Sequence, residues 1–368
     1  MDTNRQQTSA SAFEILSTVL LAEPEDRNPD AEAQKIRETT ASWKSQDWGE
    51  LNSLATMNHV IMRAYPRLRA LLAGSGDAAG EEFLATGIEK EVARIHYAIP
   101  YLHRICQELE GAGNVIVIKS LDHWPDLGSD LDLYTDADPR AIIDIMQTRF
   151  QAEVEKQSWG DRLASKWNFA LPDLPELIEV HIGRLGQTGE QKAIGESLVK
   201  RSVYRELAGH SFRVSAAEDR IVISTLQRMF RHFYIRLCDV VELAQLMDQG
   251  AVNYDYLHSL SRTAGLWEGV ATYLQIVSQY VARYRGRGTP LPVLVRDSAR
   301  FGNEQVDLRK GFLRIPIMPH SAKLYITELA TLLSGGEING TLRLSLLPAL
   351  ATAAAIKLSF TDSDKGVW

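Results

Sequence analysis

Residues 115–135, VIVIKSLDHWPDLGSDLDLYT, constrain this chain more than any other stretch. The apolar run 115–118 reads as a buried strand, a polar turn follows, and a second strand over 131–134 carries Asp130 and Asp132 at a spacing of two. Side chains alternate faces along a strand, so both carboxylates aim to the same side, about 7 Å apart along the backbone. Two acids that close at the edge of an apolar sheet are costly unless a cation lies between them. A hard divalent ion such as Mg²⁺ is the usual answer.

Composition narrows the frame around this unit. At 368 residues and 45% hydrophobic, the chain can bury a large core and has length for two or three subdomains. A net charge of −7 argues against a protein whose main business is coating long nucleic acid, while leaving room for a local basic patch. Cys106 and Cys238 lie in apolar helical contexts without metal-ligand or disulfide spacing, so they are expected as buried thiols in a reducing compartment. The polar N-terminus lacks an apolar signal core, and no run approaches the roughly 18 apolar residues of a membrane span. The expectation is a soluble, cytoplasmic protein with no membrane partner.

In chain order, the first dozen residues are expected to fray before a short apolar helix over 13–22 and an acidic, proline-containing segment at 23–30. Helical spacing of Trp48, Leu51, Leu54, Ala55, His59 and Met62 predicts a helical pair over 30–73. A loop at 74–80 and an amphipathic helix over 81–110 then deliver the chain to the first strand. Asp138 and Pro139 start a helix to about residue 151. After a stretch of ordered loop or short strands, LIEVHIG at 177–183 alternates, with Glu179 and His181 on one face and Ile178, Val180 and Ile182 on the other. Residues 212–214 read as a last strand, and Ser215 with Glu218 reads as a capping box opening one long helix to about residue 248. The remainder is predominantly helical, broken at Gly265, 286–292 and 335–340, with an alanine-rich helix over 349–356. The fold class is therefore α+β: a small mixed sheet over 111–214, flanked by helical regions at 1–110 and 215–368.

The run VIVIKS, nine residues later DLDLYT, and the acid-x-His strand of Glu179 and His181 together resemble the DNA polymerase β-like nucleotidyltransferase superfamily. Within it the chain is similar to stand-alone bacterial nucleotidyltransferases with a leading helical region (48–60), a Lys at the end of the first strand (Lys119) and a downstream basic helix, RMFRHFYIRLCDVVELAQLM. The resemblance covers roughly residues 48–247. One departure stands out. The turn that reads Gly-Ser in that superfamily reads Lys119-Ser120 here, and the Gly128-Ser129 pair lies too close to Asp130 to be its equivalent.

The resemblance implies a transferase that moves a nucleoside monophosphate from an NTP, with ATP favoured, to a hydroxyl of a small-molecule or protein acceptor. Asp130, Asp132 and Glu179 would be its catalytic residues and would hold two Mg²⁺ (or Mn²⁺) ions about 4 Å apart. Lys119, Ser120 and Ser129 at the turn and strand start, with Arg228 and Arg231 on the downstream helix, would bind the nucleotide. Glu179 could instead accept the acceptor's proton. Arg228, Arg231, His232 and Arg236 are expected to share one helix face that continues to Asp239, either gripping triphosphate or pairing internally. Lys200, Arg201 and Arg205 form a second cluster, read either as a ligand-binding patch or as a solvated helix face. Two further classes stay open: a catalytically silent relative that binds a nucleotide or a protein partner, and a helical scaffold in which the sheet is purely structural.

Overall fold

A computed structural model describes residues 2–22, 29–74, 76–350 and 352–353. It is a mixed α+β structure with a seven-stranded mixed sheet and a separate three-stranded sheet. The strands of the larger sheet are β1 (Val115–Val117), β2 (Asp130–Thr135), β3 (Glu153–Val154), β4 (Lys166–Leu171), β5 (Leu174–Ile182), β6 (Val203–Leu207) and β7 (His210–Val214), in the order β3-β4-β5-β2-β1-β7-β6. β1 and β2 are antiparallel, with Val115 opposite Thr135 and Val117 opposite Leu133. β5 runs parallel to β2 and β7 parallel to β1, which places the unit at 115–135 in the centre of the sheet.

Alternation along these strands divides the sheet into two differently covered faces. Val115, Val117, Leu131, Leu133, Ile178 and Val180 pack in one core with the inner stripe of the long helix Ala78–Glu110 and with the helix Pro139–Phe150. Ile116, Ile118 and Tyr134 point the other way, into a larger core built from helices of both chain ends. The helix Asp2–Leu21 packs there against Ser45–Met57, Ile61–Leu72 and Trp267–Arg285. Each fully buried Leu, Ile or Phe in such a core contributes about 1.5–3 kcal/mol. Asp132, Glu179 and His181 share the face of Tyr134, so the acids lie beneath the cap that the two helical regions build together.

Several local expectations meet the structure with changes. The first helix starts at Asp2 rather than near Phe13, because residues 2–12 contain no glycine or proline to stop it. The pair expected over 30–73 is three helices, Pro29–Thr40, Ser45–Met57 and Ile61–Leu72, with His59 at φ +51 between the last two. The loop at 74–80 is shorter than expected, since Asp77 accepts a hydrogen bond from Gly80 N–H and starts the next helix. Asp138 caps the helix Pro139–Phe150 as expected, and breaks occur at Gly265, Gly286 and Gly335 to Gly336. Most of the acidic segment at 23–30 and half of the alanine-rich stretch at 349–356 lie outside the described residues.

The largest departure is the long helix expected over 215–248. The chain instead forms the helix Ala217–Thr225, a π-helical turn Leu226–His232, the strand β8 (Tyr234–Ile235) and the helix Leu237–Asp248. No capping box forms at Ser215, whose hydroxyl is buried without a partner, and Glu218 instead pairs with Arg201 at 2.5 Å. The break falls on His232-Phe233-Tyr234-Ile235, a run that favours strand, with Phe233 at φ +54. β8 pairs with β10 (Phe312–Arg314), which pairs with β9 (Asp307–Arg309), a small sheet that helical periodicity did not foretell. Asp239 then anchors the next helix by accepting the Arg236 N–H at 2.8 Å. No described helix is long and apolar enough to cross a membrane.

Candidate functional site

The β2–β5 register sets the acid pair. Asp132 stands directly opposite Glu179 in adjacent parallel strands, on the same face, and Tyr134 stands opposite His181. Asp130 opens β2 one residue pair nearer solvent and is the most exposed of the three acids. Ahead of it, the loop 121–129 is pinned from several sides. Arg94 of the long helix donates to the Leu127 and Gly128 carbonyls at 2.8 and 3.1 Å and pairs with Glu176 at 2.7 Å. Arg63 pairs with the buried Asp126 at 2.7 Å, and Arg220 with Asp122 at 3.0 Å.

The turn between the strands carries the departure seen in the sequence. Lys119 has φ +59, the left-handed region that glycine adopts without penalty, and the Ser120 N–H donates back to the Ile118 carbonyl at 2.5 Å. This is a γ-turn of the rare positive-φ kind, a conformation costing roughly 1–3 kcal/mol for a residue with a Cβ. The backbone thus takes the path a glycine would take, with a lysine side chain added.

That side chain does not reach out to solvent. Its ammonium contacts an oxygen of Asp132 and lies 3.3 Å from Glu179 Oε1. Glu179 is held further by Lys166 at 2.9 Å on Oε2 and by His181 Nε2 at 2.8 Å on Oε1, and Lys166 also meets Asp161 at 2.8 Å. Ser120, expected at a phosphate, is 2% exposed and uses its hydroxyl on the β2 backbone. It donates to the Asp130 carbonyl at 3.1 Å and accepts the Asp132 N–H at 2.7 Å.

Protonation follows from this crowding. Burial would raise Glu179, but the Lys119 ammonium, the His181 hydrogen bond and Lys166 bring it well below the ordinary carboxylate range. Burial and the neighbouring Glu179 outweigh Lys119 at Asp132 and push it up to about 8. Burial and Glu179 also raise Asp130. Burial lowers His181 to about 4, so its imidazole is neutral, and its buried Nδ1 has no hydrogen-bond partner among the described residues. The acids as a group carry more negative charge than the two lysines offset.

The opposite wall is cationic. The eight residues given catalytic, metal or nucleotide roles by the resemblance, Lys119, Ser120, Ser129, Asp130, Asp132, Glu179, Arg228 and Arg231, line one cleft of about 210 Å³, together with His59, His123, Tyr234 and Arg236. The π-turn and β8 bring Arg228, Arg231 and Arg236 to this cleft, rather than a single helix face. Arg228 is spoken for: it pairs with Asp239 at 2.6 Å, both side chains 2% exposed. Arg236 donates to His59 Nε2 at 2.6 Å, and neither Arg236 nor Arg231 forms an ion pair with an acid among the described residues. Burial and the surrounding arginines lower His59 and His232 to about 2 and His123 well below its ordinary range, so all three are neutral. In the second basic cluster Arg201 lies 3.6 Å over the Tyr256 ring and Arg205 donates to the Leu121 carbonyl, while Lys200 is exposed.

Among the described residues, two groups of side chains have ligand atoms close enough to share a metal ion, all within 4.8 Å of one another: Asp132 with Glu179 and His181, and His123 with Cys238 and Asp239. The first has the oxygen donors and excess negative charge that suit a hard cation. The second does not fit a cation. Asp239 already holds Arg228, and the charges of Arg63, Arg220, Arg228 and Arg236 all bear on His123.

His59 and Arg236, with Ser129, also line a chamber of about 590 Å³ that adjoins the cleft and has apolar walls at Met57, Ile61 and Phe312. The cleft alone is below the roughly 300–1,000 Å³ typical of ligand sites, whereas the two together fall within it. Periodicity reads His59 as part of a helix and passes over His123, Asp161, Lys166 and Tyr234. Only Lys166 had a legible signal, as a lone lysine opening a strand that neighbours the acid-x-His strand. Comparison with known proteins supplies no relative: no protein-family model, curated protein or solved structure matches the chain.

Proposed function

We propose that the protein is a metal-dependent nucleotidyltransferase that moves a nucleoside monophosphate from an NTP, ATP first among them, to a hydroxyl of a small-molecule or protein acceptor. The observation that carries this reading is one cleft with two walls of opposite sign: Asp130, Asp132 and Glu179 on one side, Arg231 and Arg236 on the other. Acids that can hold a divalent ion, facing guanidinium groups that can take phosphate oxygens, are what a metal–triphosphate complex requires. Asp130 and Asp132 would hold the ion, Mg²⁺ or Mn²⁺. When bound, it supplies Lewis-acid polarisation of a phosphoryl oxygen and lowers the pKa of a coordinated hydroxyl. Arg231 and Arg236 would neutralise and orient the triphosphate, and the adjoining chamber has room for an acceptor or base. Glu179 is a poor proton acceptor in this arrangement, because both of its oxygens are engaged by Lys119, His181 and Lys166.

A second reading, a silent relative that binds a nucleotide or a protein partner, draws support from the Lys119 ammonium lying between Asp132 and Glu179. One experiment separates the two. The protein is incubated with labelled triphosphates, Mg²⁺ and hydroxyl acceptors, and compared with the Asp130→Ala plus Asp132→Ala variant. Transfer lost in the variant supports the enzyme; transfer that survives it sinks the metal assignment. Thermal stabilisation by an NTP without transfer to any acceptor favours the silent reading, and no stabilisation by any NTP leaves the sheet a structural role.

A further inference from the structure

We infer that Lys119 is a built-in cation of the cleft: its ammonium takes the position between Asp132 and Glu179, so that the site accepts one divalent ion, at Asp130 and Asp132, where two were expected. The inference rests on the nucleotidyltransferase reading and changes its metal stoichiometry. The first support is occupancy of donors. Glu179 Oε1 is shared by His181 Nε2 at 2.8 Å and Lys119 at 3.3 Å, and Oε2 is taken by Lys166 at 2.9 Å. An ion bridging Asp132 and Glu179 would have to displace an ammonium from the place where it already bridges them. The carboxylate of Asp130, by contrast, makes no hydrogen bond or ion pair among the described residues and stands at the open end of β2.

The second support is charge. Once a bound cation draws the proton from Asp132, the carboxylates of Asp130, Asp132, Glu179 and Asp161 bring four negative charges to a group in which Lys119 and Lys166 supply two positive ones. One divalent ion balances the remainder. A second would leave net positive charge facing a wall that already holds Arg231 and Arg236, and Coulomb repulsion at these distances is strong in a partly buried cleft. The third support is the backbone. Lys119 is held at φ +59 in a turn built for glycine, an arrangement whose cost is offset by the two ion pairs its side chain makes. A glycine there would leave the turn intact and remove the ammonium, opening the position to a metal ion.

Manganese binding tests this directly, by equilibrium dialysis and by the loss of the free-ion electron paramagnetic resonance signal. The protein is used without nucleotide, and the Asp130→Asn plus Asp132→Asn variant serves as blank for surface binding. The expected result is one ion above the blank for the unaltered protein and two for Lys119→Gly. Lys119→Met removes the charge while keeping the bulk, and serves if the glycine variant does not fold by circular dichroism. Two ions in the unaltered protein would overturn the inference, since the ammonium would then yield its place. One ion in both unaltered and altered proteins would also overturn it, because Lys119 would not be holding a metal position. No ion in any form would sink it together with the metal-dependent reading of the site, which distinguishes that failure from the other two.

Discussion

Two clusters of buried charge meet at the cleft, and they differ in the sign of what is left over. Around Asp132 and Glu179 the acids, with Asp161 and the neighbouring Asp130 counted, number four against the two lysines Lys119 and Lys166. Around Asp239 a single carboxylate faces Arg228 at 2.6 Å, with Arg236 close by and His59, His123 and His232 held neutral. Both contain ligand-like side chains within 4.8 Å of one another, yet only the acidic one suits a cation. The other suits anions. Donor geometry alone would treat them alike; the residual charge tells them apart, and the cleft sets walls of opposite sign against each other.

The sharpest way to break the comparison is to unbalance its basic half. Asp239→Ala leaves Arg228 buried, 2% exposed, without its carboxylate, and also removes the acceptor for the Arg236 N–H. Loss of a buried partner costs about 3–5 kcal/mol, read as a lower urea midpoint with an unchanged slope. On the acidic half the corresponding change is milder. Lys166→Met takes one ammonium from Asp161 and Glu179, but Glu179 keeps Lys119 and His181, so a loss of about 2–3 kcal/mol is expected, below the usual range for a broken buried pair. A Lys166→Met loss equal to that of Asp239→Ala would mean that Lys119 does not share the charge of Glu179.

How much of this was legible in the chain follows from the range of each signal. Strand alternation is local, so Asp130 with Asp132, and Glu179 with His181, could each be placed on a common face from spacing, while it is the β2–β5 register that sets the two pairs side by side. The basic residues were legible as a group but for an incorrect reason. A 3.6-residue period carried a helix through residues 226–236, and the chain breaks there because Tyr234 and Ile235 pair with Arg314 and Leu313, some 80 residues later in sequence. Long-range pairing of that kind leaves no local trace. The role of Lys119 was hidden for the same reason. Its position was recognisable as a glycine site, but the ion pairs that turn its side chain inward depend on Glu179, 60 residues on.

A third buried acid cluster, outside the cleft lining, serves as a control because no lysine or arginine forms an ion pair with it among the described residues. Glu190 accepts the N–H groups of Gln187 and Thr188 at 3.1 and 2.8 Å, while Glu328 takes only the Gln191 amide at 2.7 Å. Burial, and then the nearby Glu190, raise Glu328 well above its ordinary value. The folded protein therefore holds a proton that the unfolded chain releases, and stability falls as pH rises above the ordinary carboxylate range. The slope approaches about 1.4 kcal/mol per pH unit for one such group, until the pH reaches the raised value. Glu328→Gln should flatten this slope in urea titrations between pH 5 and 8, and an unchanged slope would locate the proton elsewhere.

The finest test lies within the basic wall, between two arginines of the same turn. Arg228 is buried and paired with Asp239, whereas Arg231 is half-buried, forms no ion pair among the described residues and lies near the like charge of Lys119. If the wall exists to receive phosphates, Arg231 carries ligand binding and Arg228 carries stability. Arg231→Ala should then leave the unfolding midpoint within about 0.5 kcal/mol of the parent. It should weaken a non-hydrolysable triphosphate about tenfold in calorimetric titration with Mg²⁺, which corresponds to about 1.4 kcal/mol for one charge-assisted contact. Unchanged affinity would assign the excess positive charge of this wall to balancing the acids across the cleft rather than to an anionic ligand.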